Sequence, residues 1–119
     1  MKKKSLLIIA FLSALHFSCT NDSTSDLINT NIDQISYSNT VKSIIDNNCI
    51  SCHGSIPTNG ASIPLTTYQN VKDAILNQEL LDRISRNQGD PSMMPSGGTR
   101  LPQPIIDQIS TWASEGFNE

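Results

Sequence analysis

Hydrophobic positions in this chain change their spacing four times, and each change marks a boundary. Leu6 to Leu15 (LLIIAFLSAL) is an uncharged run behind Met1-Lys2-Lys3-Lys4. A basic start followed by a short apolar stretch is the layout of an export signal, and the run falls short of the about 20 residues a membrane span needs. Residues 1–18 are therefore read as a signal peptide. The next stretch, TNDSTSDLINTNIDQIS, is polar with isolated Leu27, Ile28, Ile32 and Ile35 and no period. This predicts a tether over residues 19–36, long enough as a coil to reach roughly 20 Å. The alternative is that Ile32 and Ile35 pack onto the following domain as an extra turn.

From residue 37 the spacing becomes helical. Tyr37, Val41, Ile44, Ile45 and Asn48 share one face, with Ser38 or Asn39 available as N-cap. Val71, Ala74, Ile75, Leu80, Leu81 and Ile84 predict one or two short helices between Asn70, the expected cap, and Ser85, before Gly89-Asp90-Pro91 breaks the pattern. Ile105, Ile109, Trp112 and Ala113 make one face of a last helix, with Pro104 suited to its first turn. No segment alternates as a strand would. The expected fold is all-α, three to five short helices joined by long loops over residues 37–119. Trp112 is expected to cross near Tyr37 or Val41, closing the first helix onto the last.

Composition narrows the chemistry. The 119 residues carry 8 basic and 11 acidic side chains, a formal charge of −3, with no basic run beyond Lys4, so a nucleic-acid footprint is absent. Only 37% of the residues are hydrophobic, and a domain of about a hundred residues with so small an apolar inventory gains from a staple, metal or cofactor. The three cysteines are an odd number for an exported chain. One of them, Cys19, follows the apolar run and Ser18 and precedes Thr20-Asn21-Asp22-Ser23. It resembles the lipid-modified first residue of a mature bacterial lipoprotein, which implies extracytoplasmic anchoring to a membrane through the N-terminal lipid. An ordinary secreted protein with a spare cysteine is the alternative.

The other two cysteines lie in Cys49-Ile50-Ser51-Cys52-His53, the Cys-x-x-Cys-His pattern of covalent c-type haem attachment. Cysteines three apart fall on the same side of a helical turn, so both sulfurs can reach the two vinyl groups on one porphyrin edge. His53 is then held beneath the ring as an axial iron ligand. Other uses of these residues are poorer. Zinc needs four ligands, and the mature chain offers three soft ones, two of them adjacent. A thioredoxin-like pair needs a βαβ setting, and a Cys49–Cys52 disulfide would close a tiny loop of little stabilising value. Because His16 lies in the signal, His53 is the only histidine of the mature chain, which excludes bis-histidine ligation within one chain.

A sixth ligand must come from a methionine, an unusual group or an external molecule. Asp90-Pro91-Ser92-Met93-Met94-Pro95-Ser96-Gly97-Gly98 offers two thioethers in a loop that its prolines stiffen. A stiff strap is what a weak ligand requires. Met94 is the expected ligand and Met93 the expected gap-filler.

With these motifs in order, the chain resembles a small class I, mono-haem cytochrome c over about residues 37–118. The resemblance is carried by the helix Tyr37–Asn48 running into Cys49, Cys52, His53 and Gly54, and by Gly60-Ala61-Ser62-Ile63-Pro64-Leu65-Thr66-Thr67-Tyr68. It continues in Met94-Pro95-Ser96-Gly97-Gly98, Leu101 and the closing helix Ile105 to Phe117. It implies one covalent haem c, Cys49 and Cys52 as its attachment points, and His53 and Met94 as iron ligands. A thioether with a histidine leaves no open iron position, so the implied function is one-electron transfer rather than catalysis. No Ser/His/Asp set or carboxylate pair points to an enzyme. Ile56, Ile63, Pro64, Leu65 and Leu101 are the expected pocket wall, and a backbone carbonyl near Ile63 or Pro64 is the expected acceptor for His53.

Two further functions remain open: haem-based binding or sensing of a small ligand, and an accessory haem subunit of a larger dehydrogenase or oxidase. Donor and acceptor are expected to be redox proteins met in small, weak encounters, and the chain is expected to be a monomer. Loss of Lys2, Lys3 and Lys4 with the signal takes the formal charge from −3 to −6. Lys42, Lys72, Arg83, Arg86 and Arg100 are scattered among acids, which favours a partner with a basic or neutral docking surface.

Overall fold

A computed structural model describes residues 34–119. Residues 1–33, with the expected signal segment, Cys19 and most of the expected tether, lie outside the described residues. Among the described residues there are helices and loops and no strand, and no helix is long and apolar enough to cross a membrane. The domain is all-α.

Helix formation begins two or three residues earlier than the expected caps indicate. Ser36, extended at φ −121° and ψ 166°, is the N-cap: its Oγ accepts from Asn39 N–H (3.3 Å) while its own N–H donates to Asn39 Oδ1 (2.9 Å). This is a capping box closed by Asn, so neither Ser38 nor Asn39 is the cap itself. Ile35 packs against the core. Ile35 and Ser36 thus belong to the domain although their surroundings in sequence read as tether. The chain opens with a π-helical turn, Tyr37–Val41, and continues as α1, Lys42–Asn48. Tyr37, Val41, Ile44 and Ile45 are buried, and Lys42 pairs with Asp46 on the solvent side.

The middle segment forms two helices, α2 (Tyr68–Asn77) and α3 (Leu80–Ser85). Thr67 caps α2, accepting at Oγ1 from Asn70 N–H (3.2 Å), which places Asn70 in the first turn rather than at the cap. Glu79, left-handed at φ 60°, separates the two helices. Its Cβ disfavours that conformation, and burial of the neighbouring turn holds it there: Leu80 and Ile84, both buried, direct one face of α3 inward.

The last helix, α4, spans Gln103–Ser114 with Pro104 in its first turn, where a missing N–H costs nothing. Its buried face is Ile106, Ile109 and Trp112, with Ile105 and Ala113 only at the margin. Sequence spacing places Ile105 on that face, and the structure differs. An i, i+3, i+6 row seats Ile106 beneath Ile109 and Trp112 and leaves Ile105 turned partly to solvent. The helix also stops at Ser114, short of Phe117. Gly116 takes φ 96° and Phe117 φ 62°, a glycine-led reversal that folds the Phe117 ring back onto Trp112.

The helices close as a ring: the opening turn meets α4, α4 meets α3, α3 meets α2, and the Tyr68 ring at the start of α2 lies 5.6 Å from that of Tyr37 in the opening turn. Trp112 lies at the closure, fully buried, with its ring 5.9 Å from that of Tyr37, as expected. The Asn118 carbonyl fastens the ends together, accepting from Tyr37 N–H (2.8 Å) and from Trp112 Nε1–H (2.7 Å).

Candidate functional site

The pentapeptide Cys49–His53 follows α1 without a gap. Cys49 N–H donates to the Ile45 carbonyl (2.8 Å), so the helix delivers the first cysteine directly. The Cys49 carbonyl then accepts from Cys52 N–H (3.1 Å) and His53 N–H (2.9 Å), winding the motif into one turn. Neither cysteine is in a disulfide. Gly54 follows because a side chain there would crowd the Ile50 carbonyl, 3.2 Å from where its Cβ would lie.

Residues 55–66 fold back across this turn and are pinned to it. Thr58 N–H donates to the Cys52 carbonyl and Leu65 N–H to the His53 carbonyl, both at 2.8 Å. The His53 ring is fixed in turn: Nδ1 lies 2.8 Å from the Ile63 carbonyl. A carbonyl can only accept, so Nδ1 carries a proton, and in the neutral ring the free lone pair is on Nε2. The acceptor expected near Ile63 or Pro64 is therefore Ile63.

These residues line a cavity of about 490 Å³, within the size range of small-molecule and cofactor sites. Cys49, Cys52 and His53 form one part of its wall, and Ile63, Leu65, Leu80, Ile84 and Leu101 supply the apolar part. Met94, Pro95 and Ser96 approach from the strap. Met94 lines the cavity and is partly buried, whereas Met93 is buried at 4% exposure and does not line it. The strap is fastened where it matters, since Met94 N–H donates to the Arg83 carbonyl in α3 (3.0 Å). On its near side, Asp90 accepts from Ser92 N–H (2.8 Å) and pairs with Arg86 (3.2 Å), and these contacts hold its carboxyl below the usual range.

Two expected wall residues are absent from the cavity. Ile56 is 81% exposed, because the pinned loop turns its tip outward, and Pro64, though half-buried, does not line the cavity. Sequence reasoning assigns Leu80 and Ile84 to helix packing alone, although their i, i+4 spacing is a signal for a shared face. It misses the polar rim as well. Among the described residues Arg83 is the one charged residue lining the cavity, and its contact with Glu79 is long (3.7 Å) and exposed. Asn59 donates from Nδ2 to Cys52 Sγ (3.5 Å).

Burial pushes the Cys49 thiol up to about 11. At neutral pH it is a protonated thiol in an apolar wall, the opposite of the depressed, exposed cysteine of a redox or nucleophilic site. A pH dependence results. The same thiol in the unfolded chain titrates near its usual 9.0, so the unfolded state loses its proton first. Stability of the unloaded chain is therefore intact below pH 9 and falls between pH 9 and 11, by about 2–3 kcal/mol. Denaturant titrations across that window should show the fall, and Cys49→Ala should flatten it. A chain whose Cys49 sulfur is already a thioether should lack it too.

The donor set fits a covalently attached haem. Two unpaired thiols three residues apart, a histidine oriented through Nδ1, a thioether and an apolar wall meet at one cavity. Among the described residues no group of three or more His, Cys, Asp or Glu side chains is gathered as a metal cage. Set against known proteins, the chain matches no family profile, no curated sequence and no solved structure.

Proposed function

We propose that this chain is a one-electron carrier, a small mono-haem c-type cytochrome held outside the cytoplasm by a lipid on Cys19. The observation that carries the reading is the meeting of Cys49, Cys52, His53 and Met94 at one cavity, from segments well separated in sequence. When bound, haem c supplies a single iron that cycles between two oxidation states. Cys49 and Cys52 would hold the porphyrin covalently, and His53 and Met94 would bind its iron.

The chain's own residues account for the rest. The Ile63 carbonyl fixes the tautomer and orientation of the His53 ring. Met94 offers a neutral thioether, which would favour reduced iron and would occupy the position another ligand could take. Leu65, Leu80, Ile84 and Leu101 exclude water and lower the local dielectric. Because Met94 is tied to α3 through its backbone, the closed, electron-transferring arrangement is favoured over the ligand-sensing alternative. Donor and acceptor are taken to be redox proteins in a respiratory or oxidoreductase chain, including a larger oxidoreductase to which this chain could be accessory.

The test is an optical and mass spectrum of the mature protein made in a host with haem-attachment machinery. One haem added covalently, a low-spin spectrum with a far-red sulfur-to-iron band, and an acylated Cys19 are the expected result. A colourless protein with Cys49 and Cys52 free overturns the reading.

A further inference from the structure

The strap that carries Met94 is held at its base by one side chain. The Arg100 guanidinium makes four hydrogen bonds: Nε–H to the Arg86 carbonyl (2.9 Å), Nη2–H to the Ser85 carbonyl (3.2 Å) and to Gln103 Oε1 (2.8 Å), and Nη1–H to the Leu101 carbonyl (3.2 Å). Ser85 and Arg86 end α3, where the last carbonyls have no partner within the helix, and Gln103 begins α4. The backbone joins in. Arg100 N–H donates to Gln88 Oε1 (2.7 Å), and Gln88 Nε2–H donates to the Gly98 carbonyl (3.1 Å). Both ends of the segment from Arg86 to Arg100 are thereby stitched to each other and to the helices on either side.

We propose that Arg100 is a positioning residue for the Met94 sulfur, clamping the strap to the end of α3 so that an otherwise weak thioether keeps its place on the cavity. This rests on the reading of Met94 as an iron ligand. The physical need is plain. A loop of this length gains entropy by opening, and a thioether gives little back. The remaining tie at the sulfur-bearing residue, Met94 N–H to the Arg83 carbonyl, also runs to α3. Any slip of the strap's base against that helix therefore pulls on the sulfur. Arginine suits the task because its planar fork reaches several carbonyls at once in fixed directions, which a lysine cannot.

The test uses the haem-loaded protein and imidazole, a ligand that competes with the sulfur and whose apparent affinity scales with the fraction of open strap. Arg100→Gln is expected to raise imidazole affinity by about tenfold or more and to lower the pH at which the far-red band disappears; Arg100→Lys recovers only part of either. Tyr68→Phe is the control for general loss of stability, since it removes a hydrogen bond to the Phe117 carbonyl (2.8 Å) without touching the strap. It should leave imidazole affinity within about twofold. Should Arg100→Gln fail to assemble, Gln88→Ala is read in its place and should shift affinity several-fold in the same direction. Unchanged imidazole affinity in the strap variants, or an equal rise in Tyr68→Phe, overturns the clamp while the wild-type far-red band leaves the Met94 reading standing. A wild type without that band overturns the Met94 reading itself, and the clamp with it.

Discussion

Replacing Met94 by alanine should convert the haem-loaded protein from low spin to high spin, abolish the far-red band and open the iron to prompt carbon monoxide binding. Haem should stay attached, because Cys49, Cys52 and His53 are untouched. The reduction potential should fall, since the thioether that favours reduced iron has gone. Met93→Ala is the informative contrast. Met93 is buried at 4% exposure and does not line the cavity, so its loss is a packing defect costing about 2–4 kcal/mol with the spectrum retained. Denaturant unfolding and an optical spectrum of each variant separate the two roles. Loss of the band in Met93→Ala with its retention in Met94→Ala would reverse the assignment.

Trp112→Ala should bring the domain close to unfolding. Its side chain is fully enclosed, with ring centroids of Tyr37 and Tyr68 at 5.9 Å and of Phe117 at 5.0 Å. Removing a buried tryptophan costs about 3–5 kcal/mol, a large share of the total stability of a small domain. Here the hole falls where the opening turn meets α4, so the ring of helices would lose its closure. Trp112→Phe should cost less, about 1–2 kcal/mol, because a ring remains and the Asn118 carbonyl keeps its bond from Tyr37 N–H. A Trp112→Ala protein within about 1 kcal/mol of wild type would show that α4 is held by something else.

Most of the core is legible in the spacing of apolar residues, and the departures have local causes. Tyr37, Val41, Ile44, Ile45, Val71, Ala74, Leu80, Ile84, Ile109 and Trp112 are buried as their spacing predicts. The exchange of Ile105 for Ile106 reflects two adjacent isoleucines, between which periodicity alone chooses poorly. The caps fall two or three residues away from their expected places, at Ser36 rather than Ser38 or Asn39 and at Thr67 rather than Asn70. Every candidate there is a capping residue type, and only backbone geometry selects among them. The break at Glu79 has no sequence signal at all, being neither glycine nor proline.

Charge is the least legible property. Arg86 and Arg100 read as scattered surface cations, yet Arg86 is engaged by Asp82 (2.7 Å) and Asp90, and Arg100 by four acceptors in the strap and its flanking helices. Lys72 rests over the Tyr68 and Phe117 rings. Docking surfaces inferred by counting such residues overstate the free positive charge.

What the amino-acid sequence determined by itself is the chemistry on offer and the helical class. Two thiols and an imidazole at fixed spacing, a methionine pair between prolines and a helical period are covalent, local properties of the chain. Tertiary structure alone decided which methionine lines the cavity, which carbonyl orients His53, which of two adjacent isoleucines turns inward and which acceptors Arg100 reaches. Each of those depends on contacts between segments ten to eighty residues apart, and such contacts exist only once packing and hydrogen bonding have brought the segments together.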